Sequence, residues 1–249
     1  AASLGKMAEA VADLNAETVD FTVTLGDIID RGWDSFGPIM SRYADLAAPR
    51  VFVLGNHDHN VAAAEPGAVR NVLGIERAHR DFAVGGHRFL VIDGTEISLF
   101  AAPEGSETHA LARERLSRLE RAGADNAKPW NGGISEAQFA WIEERIREAA
   151  AAGERVIAMG HFPLYPKDMH NMWDDARLTD LFAAHDNVVL YINGHNHAGN
   201  YGKAGGTHFL NLKGMVETPD MTAYSVLDIH EDRIEVHGRG LERSRILGL

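Results

Sequence analysis

Short apolar runs alternate along the chain with stretches whose apolar residues recur at helical spacing. Leu4, Met7, Val11 and Leu14 predict an opening helix, and Phe36 to Leu46 a second. Between and after these, Val19 to Leu25 and Arg50 to Leu54 read as buried strands, so strand, helix and strand follow one another as in a parallel crossover. Phe82 to Val84 and Phe89 to Ile92, separated by Gly85-Gly86, predict a hairpin. A charged helix from Ser106 to Ala124 leads into a turn-rich stretch from Gly123 to Gly133. Ser135, with Gln138 in the capping-box position and Ile134 against Phe139 as a hydrophobic staple, opens a helix to about Ala151. Strand Arg155 to Met159, a helix from about Asp174 to Ala184 and strand Asn187 to Ile192 follow. Three β-rich stretches, His208 to Leu212, Tyr224 to Ile229 and Arg233 to His237, close the chain.

Four predicted strands run straight into glycine-led polar clusters: Gly26-Asp27-Ile28-Ile29-Asp30-Arg31, Gly55-Asn56-His57-Asp58, Gly160-His161 and Gly194-His195-Asn196-His197. In open α/β sheets, ligand sites gather beyond the carboxyl ends of strands, so clusters distant in sequence can meet at one edge. A carboxylate, an amide oxygen and imidazoles are donors suited to Mn, Fe or Zn, and a carboxylate can bridge two cations. Each cluster alone also fits an ordinary polar turn; the four in this order point to a metal site.

Composition narrows the chemistry. Hydrophobic residues at 45% and charged residues at 24% exclude a disordered, collagen-like or coiled-coil chain. A formal charge of −12 opposes broad nucleic-acid binding. With no cysteine among the 249 residues, metal ligands must be nitrogen and oxygen. No run approaches the ~20 apolar residues of a membrane span.

The motifs GDxxDR, GNHD, GH and GHxH, in this order, resemble those of the calcineurin-like metallophosphoesterase family. Trp130-Asn131-Gly132-Gly133-Ile134, Gly194 to Tyr201 and Asn211 to Thr218 are similar to its manganese-dependent ADP-ribose/CDP-alcohol diphosphatase branch. The resemblance implies an α/β fold, a four-layer α/β/β/α sandwich of two mixed sheets flanked by helices. It would be one domain over 1–249, with an inserted helical and loop segment around 104–133. It implies two divalent metal ions, Mn foremost, with Fe, Zn or Mg as substitutes. Asp27 would bridge them, Asn56, His161 and His195 would complete one site, and His197 would reach the other. His57 would be the acid-base residue, with Asp58 orienting and polarising it and Asp30 supporting the loop. Arg31, Trp130, Asn131 and Tyr201 are candidates for substrate contact.

The implied activity is hydrolysis of a nucleoside diphosphate compound, of ADP-ribose or CDP-alcohol type, by a metal-bound hydroxide. The alternatives are action on a phosphomonoester, cyclic nucleotide or phosphodiester, or a non-catalytic metal-binding role. The expected partner is a small nucleotide, with neither nucleic acid nor membrane, in the cytoplasm.

One motif departs from the pattern. The family opens with a strand ending in Asp-x-His, or Asp-x-Gln in this branch, and nothing upstream of Asp27 supplies it, so the first strand is expected to be missing and the first metal site incomplete. Asp168-Met169-His170 and Asp228-Ile229-His230 have the right form, but the first reads as a Pro/Met-rich loop and the second as an ordinary strand end. Trp173 and Tyr165, like Trp130 and Tyr201, suit either a nucleobase platform or core packing.

Overall fold

The computed structural model describes residues 2–61 and 67–249. The strands, in chain order, are β1 (Thr22–Leu25), β2 (Arg50–Val53), β3 (Arg80–Val84), β4 (His87–Val91), β5 (Arg155–Met159), β6 (Val188–Asn193), β7 (Asn200–Ala204), β8 (Thr207–Asn211), β9 (Ala223–Ile229), β10 (Arg233–Gly240) and β11 (Arg245–Gly248). The α-helices are α1 (Ala2–Ala16), α2 (Phe36–Tyr43), α3 (Ala68–Val72), α4 (Glu107–Arg121), α5 (Glu136–Ala151) and α6 (Asp175–Ala183). Six strands form one mixed sheet in the order β3-β4-β5-β6-β8-β7, in which β4, β5, β6 and β8 run parallel. A parallel pair, β1-β2, and an antiparallel trio, β11-β10-β9, form the remaining ladders.

Side-chain alternation sorts these ladders into layers, because successive residues of a strand face opposite ways. Leu90, Ile92, Val156 and Ala158 join Ile142 and Ile146 of α5 and Leu178 and Phe182 of α6 in one core. Their neighbours Phe89, Val91, Ile157 and Met159 face the other way, onto Val53, Ile234, Val236 and Leu247 of the smaller ladders. On β2 the alternation repeats: Val51 and Val53 enter that inter-sheet core, while Phe52 turns with Leu54 toward Met7 and Val11 of α1 and Phe36 and Tyr43 of α2. The order is helices, large sheet, smaller ladders, helices, which is the expected four-layer arrangement. All six residues of β6 are buried, as befits a strand covered on both faces.

The ladder over Val19 to Leu25 is shorter than expected. β1 begins only at Thr22, whose amide bonds to Pro49 O as its partner strand starts. Two strands and a helix lie outside the expectations. β7 is an edge strand alternating half-buried with exposed residues, β11 is four residues long, and α3 is a five-residue helix; none shows a sustained apolar period. The glycine hairpin forms as expected, with both Gly85 and Gly86 at positive φ. Half of the expected capping box forms: Ser135 Oγ accepts from the Gln138 amide, but the Gln138 side chain turns away to bond the Asp93 backbone and Glu96. Among the described residues, no helix is long and apolar enough to cross a membrane.

Candidate metal centre

β1, β2, β5 and β6 end at one rim, and the loops that follow them form the walls of a cleft of about 350 Å³. Asp27, Asn56, His57, Trp130, His170, His195 and His197 line it. The turns there leave no room for side chains. Gly26 has φ +90°, and a Cβ on it would enter the His161 ring; a Cβ on Gly55 would strike the amide and carboxylate of Asp27. Asp27 and His195 are themselves at positive φ, +55° and +66°. Non-glycine residues hold that conformation only where surrounding contacts enforce it, and such strain clusters at functional sites.

Asp58 supplies much of that enforcement. Its carboxylate is fully buried and accepts the amides of Asp27, Ile28, Ile29 and Gly55 at 2.7–3.3 Å, locking the turns after β1 and β2 together. Burial, with the charge of Asp27 beside it, pushes the Asp58 pKa up to about 7, against the pull of these amides. This corrects the expectation that Asp58 orients His57. Instead, His57 Nδ1 lies 3.0 Å from Asp30 O and 3.1 Å from Asp30 Oδ1, so Asp30 holds the ring, and Asp30 is held in turn by Arg31 Nε at 2.7 Å. The reason is geometric: a carboxylate saturated by four buried amides has no oxygen to spare.

The metal-ligand candidates converge. His161 is buried, and its Nδ1 donates to Leu25 O at 2.6 Å, which aims Nε2 at Asp27 Oδ2 (3.3 Å), Asn56 Oδ1 (3.1 Å) and His195 Nδ1 (3.0 Å). His195 Nε2 in turn donates to Asn131 Oδ1 at 3.0 Å, leaving Nδ1 as its lone-pair nitrogen. Burial and the nearby His161 hold His195 well below the usual histidine pKa. For His161 burial acts the same way, but the charge and hydrogen bond of Asp27 outweigh it and raise the net value. Asp27 is held below the usual carboxylate range: burial opposes this, and His161 and His57 overcome it. Four acceptors therefore face one point, and three of them, Asp27, His161 and His195, are tied from behind by backbone or amide groups. One proton can serve only some of them; a divalent cation serves all four, and the mixed N/O set suits Mn, Fe or Zn.

His197 sits on the same cleft wall but outside this cluster. Its Nδ1 donates to Glu217 Oε1 at 2.5 Å and its ring covers Gly214. The loop bearing Glu217 is pinned by the buried Lys6 of α1, whose ammonium donates to Met215 O and Thr218 O.

Two candidates for substrate contact lie elsewhere. Asn131 is fully buried, its carboxamide spent on His195, Asn126 O and Met169 O, so it positions the metal-ligand candidate His195 rather than meeting solvent. Tyr201 gives its hydroxyl to the neighbourhood of His208 Nδ1 at 2.8 Å, stacked on that ring and outside the cleft lining. Trp173 and Tyr165 pack in the core; Trp130, 40% exposed, faces the cleft. Glu217 and His170 belong to the site and were missed as such. His170 carries the only sequence signal, the Asp-x-His spacing that reads as an ordinary loop. Asp228 and His230 do not form a pair: they contact His237 and Glu235 instead.

The fold and this cluster define a class, an α/β/β/α sandwich with a divalent-cation centre at the carboxyl ends of its strands. The chain belongs to the calcineurin-like phosphoesterase family, whose model matches residues 2–199. It is similar to the manganese-dependent ADP-ribose/CDP-alcohol diphosphatase of Xenopus laevis, 30% identical over 178 residues that cover 64% of this chain and 49% of that protein. The Arabidopsis thaliana protein of the same name is 22% identical over 244 residues, 88% of this chain and 78% of that one. The chain thus spans about half the length of the animal relatives it matches. A dimetal phosphatase from Danio rerio shares the fold, with TM-score 0.88 and 23% identity over 98% of this chain and 88% of that one.

Proposed function

We infer that this chain is a metal-dependent phosphohydrolase that cleaves the diphosphate of a nucleoside diphosphate compound, of the ADP-ribose or CDP-alcohol type, to a nucleoside monophosphate and a phosphorylated sugar or alcohol. The observation that carries the reading is the convergence of His161 Nε2, His195 Nδ1, Asn56 Oδ1 and Asp27 Oδ2. The names of the Xenopus and Arabidopsis relatives support the substrate class and Mn as the metal. Asp27, Asn56, His161 and His195 would hold one cation, and Asp27 and His197 would face a second. When bound, such cations acidify water and neutralise charge on phosphoryl oxygens.

The chain's own residues supply the rest. His57 is at the mouth of the cleft, 43% exposed, with Nδ1 against Asp30. That leaves Nε2 as the ring nitrogen without a protein partner among the described residues, through which the doubly protonated ring would pass a proton to the departing phosphate. Asp58 keeps the two turns in register so that Asp27 and His57 stay on facing sides of one peptide contact, the His57 amide donating to Asp27 Oδ1 at 2.9 Å. In this reading the chain acts as one domain, and the segment 104–133 delivers Trp130 to the cleft and sets Asn131 behind His195. Metal analysis paired with hydrolysis of ADP-ribose and CDP-choline is the direct test. Bound Mn with turnover of either is expected; turnover of simple phosphomonoesters or cyclic nucleotides alone would overturn the substrate class.

A further inference from the structure

Asn196 stands between His195 and His197 in the chain and lines the cleft with both of them. The loop that carries it is tightly specified. Gly194 O accepts the Asn196 amide at 2.8 Å across His195, a γ-turn that accounts for the positive φ of that histidine. The Asn196 carbonyl accepts the Gly199 amide at 3.0 Å, and Asn196 Oδ1 accepts the Ala198 amide at 3.1 Å. Neighbouring loops hold these turns in place, the Gly194 amide donating to His161 O and the Gly214 amide to His197 O, both at 3.0 Å.

One polar atom of Asn196 is left over. The residue is only 9% exposed, and its amide, carbonyl and Oδ1 are satisfied within the loop. Nδ2 has no partner among the described residues and is not sealed away from solvent; the space open to it is the cleft. Because the Ala198 amide can bond only to the oxygen end of the carboxamide, the end that remains is a donor, and a carboxamide keeps that character whatever the protonation of the histidines around it.

Position then selects the ligand group. His195, the immediate neighbour of Asn196, has its Nδ1 inside the cation cluster, 3.0 Å from His161 Nε2. A donor on the next residue meets the group held at the cations rather than a part of the substrate further out. In the proposed hydrolysis that group is a phosphoryl, whose non-bridging oxygens are charged acceptors.

We propose that Asn196 is a phosphoryl-binding residue, its Nδ2 donating to a non-bridging oxygen of the phosphate held at the cation cluster. The proposal rests on the phosphohydrolase reading above and adds a residue that fixes the orientation of the reacting phosphorus. Neither hydrolysis nor cation binding, as described, already uses it.

The test is calorimetric binding of inorganic phosphate to Mn-loaded wild type, Asn196→Ser and Asn196→Asp, with bound Mn and melting temperature measured in parallel. A serine hydroxyl still accepts the Ala198 amide but stops short of the cleft. Aspartate keeps Oδ1 and puts an oxygen where the donor was; titrations in about 0.5 M salt confine its added charge to direct contact. Phosphate affinity should fall roughly tenfold in Asn196→Ser, the worth of a hydrogen bond to a charged oxygen, and at least as far in Asn196→Asp, with bound Mn unchanged. If Asn196→Ser also loses melting temperature, Asn196→Asp decides, and wild-type phosphate affinity in it overturns the proposal. A loss of phosphate binding that tracks a change in bound Mn in both variants overturns it too, because Asn196 would then act through its histidine neighbours. Phosphate binding that neither variant alters, alongside intact cleavage of ADP-ribose, sinks the Asn196 assignment alone. Absence of both phosphate binding and cleavage in Mn-loaded wild type sinks the phosphohydrolase reading and this inference with it.

Discussion

Asn131 accepts a hydrogen bond from His195 Nε2 at 3.0 Å, and by that bond decides which nitrogen of His195 faces the cation cluster. The same carboxamide donates to Met169 O and Asn126 O, so one buried side chain couples a metal-ligand candidate to the two loops that carry Trp130 and His170. A partner that orients a ligating histidine is typically worth about 10- to 100-fold in metal affinity. Asn131→Ala should therefore weaken Mn binding by that order, measured by metal titration. Asn131→Asp, which keeps the acceptor, should retain binding while losing stability through the two carbonyls it no longer serves. Equal Mn affinity in wild type and Asn131→Ala would show that His195 needs no such partner.

Asp58 and His57 are adjacent but do different work. Asp58→Asn removes acceptors from buried amides and presents an NH₂ to some of them, at about 1–3 kcal/mol for each unsatisfied group. Chemical denaturation should show a loss of several kcal/mol and a less cooperative transition. His57→Ala, whose ring is partly exposed, should shift stability by no more than about 0.5 kcal/mol.

Turnover should separate them in the opposite sense. His57→Ala is expected to lower hydrolysis by roughly 10²- to 10⁴-fold with metal content unchanged. Asp30→Asn should produce a smaller decrease of the same kind, because Asp30 O still meets His57 Nδ1 when the carboxylate is gone. Full activity in His57→Ala would remove it from the chemistry.

His59, three residues past Asn56, carries a buried Nε2 without a hydrogen-bond partner, and burial pushes its pKa down to about 4. The folded value lies below the unfolded value of about 6.5. The neutral ring therefore contributes stability that is fully present above pH 6.5 and is lost as pH falls toward 4. The loss should approach about 3 kcal/mol at the acid end. Urea denaturation of wild type and His59→Gln between pH 7.5 and 4 isolates this term: the two curves should converge as pH drops, and parallel curves would refute it.

Much of the fold and of the site's chemistry was legible in the chain because both rest on local patterns. β4, β5 and β6 follow from apolar runs, α4 from its charged helical stretch, and α5 from Ser135, whose hydroxyl caps as its position suggests; the matching cap by Ser106 on α4 is seen only in the structure. β7 was illegible because an edge strand with one solvated face has no apolar signature, and α3 because five residues carry no period. Gln138 bonds Asp93 rather than closing its own helix cap, a choice made by the strand end it packs against.

Donor identity and strand-end placement were set by sequence: a glycine to permit the turn and a carboxylate, amide or imidazole directly after it are properties of adjacent residues. The tertiary structure alone decided how those donors are used. That Asp58 serves backbone amides while Asp30 holds His57, that Asn131 sets the His195 tautomer, and that His170 lies beside His195 all depend on loops up to 64 residues apart meeting at one rim. A side chain with several hydrogen-bonding options takes the one its buried neighbours leave unsatisfied, and those neighbours are chosen by packing.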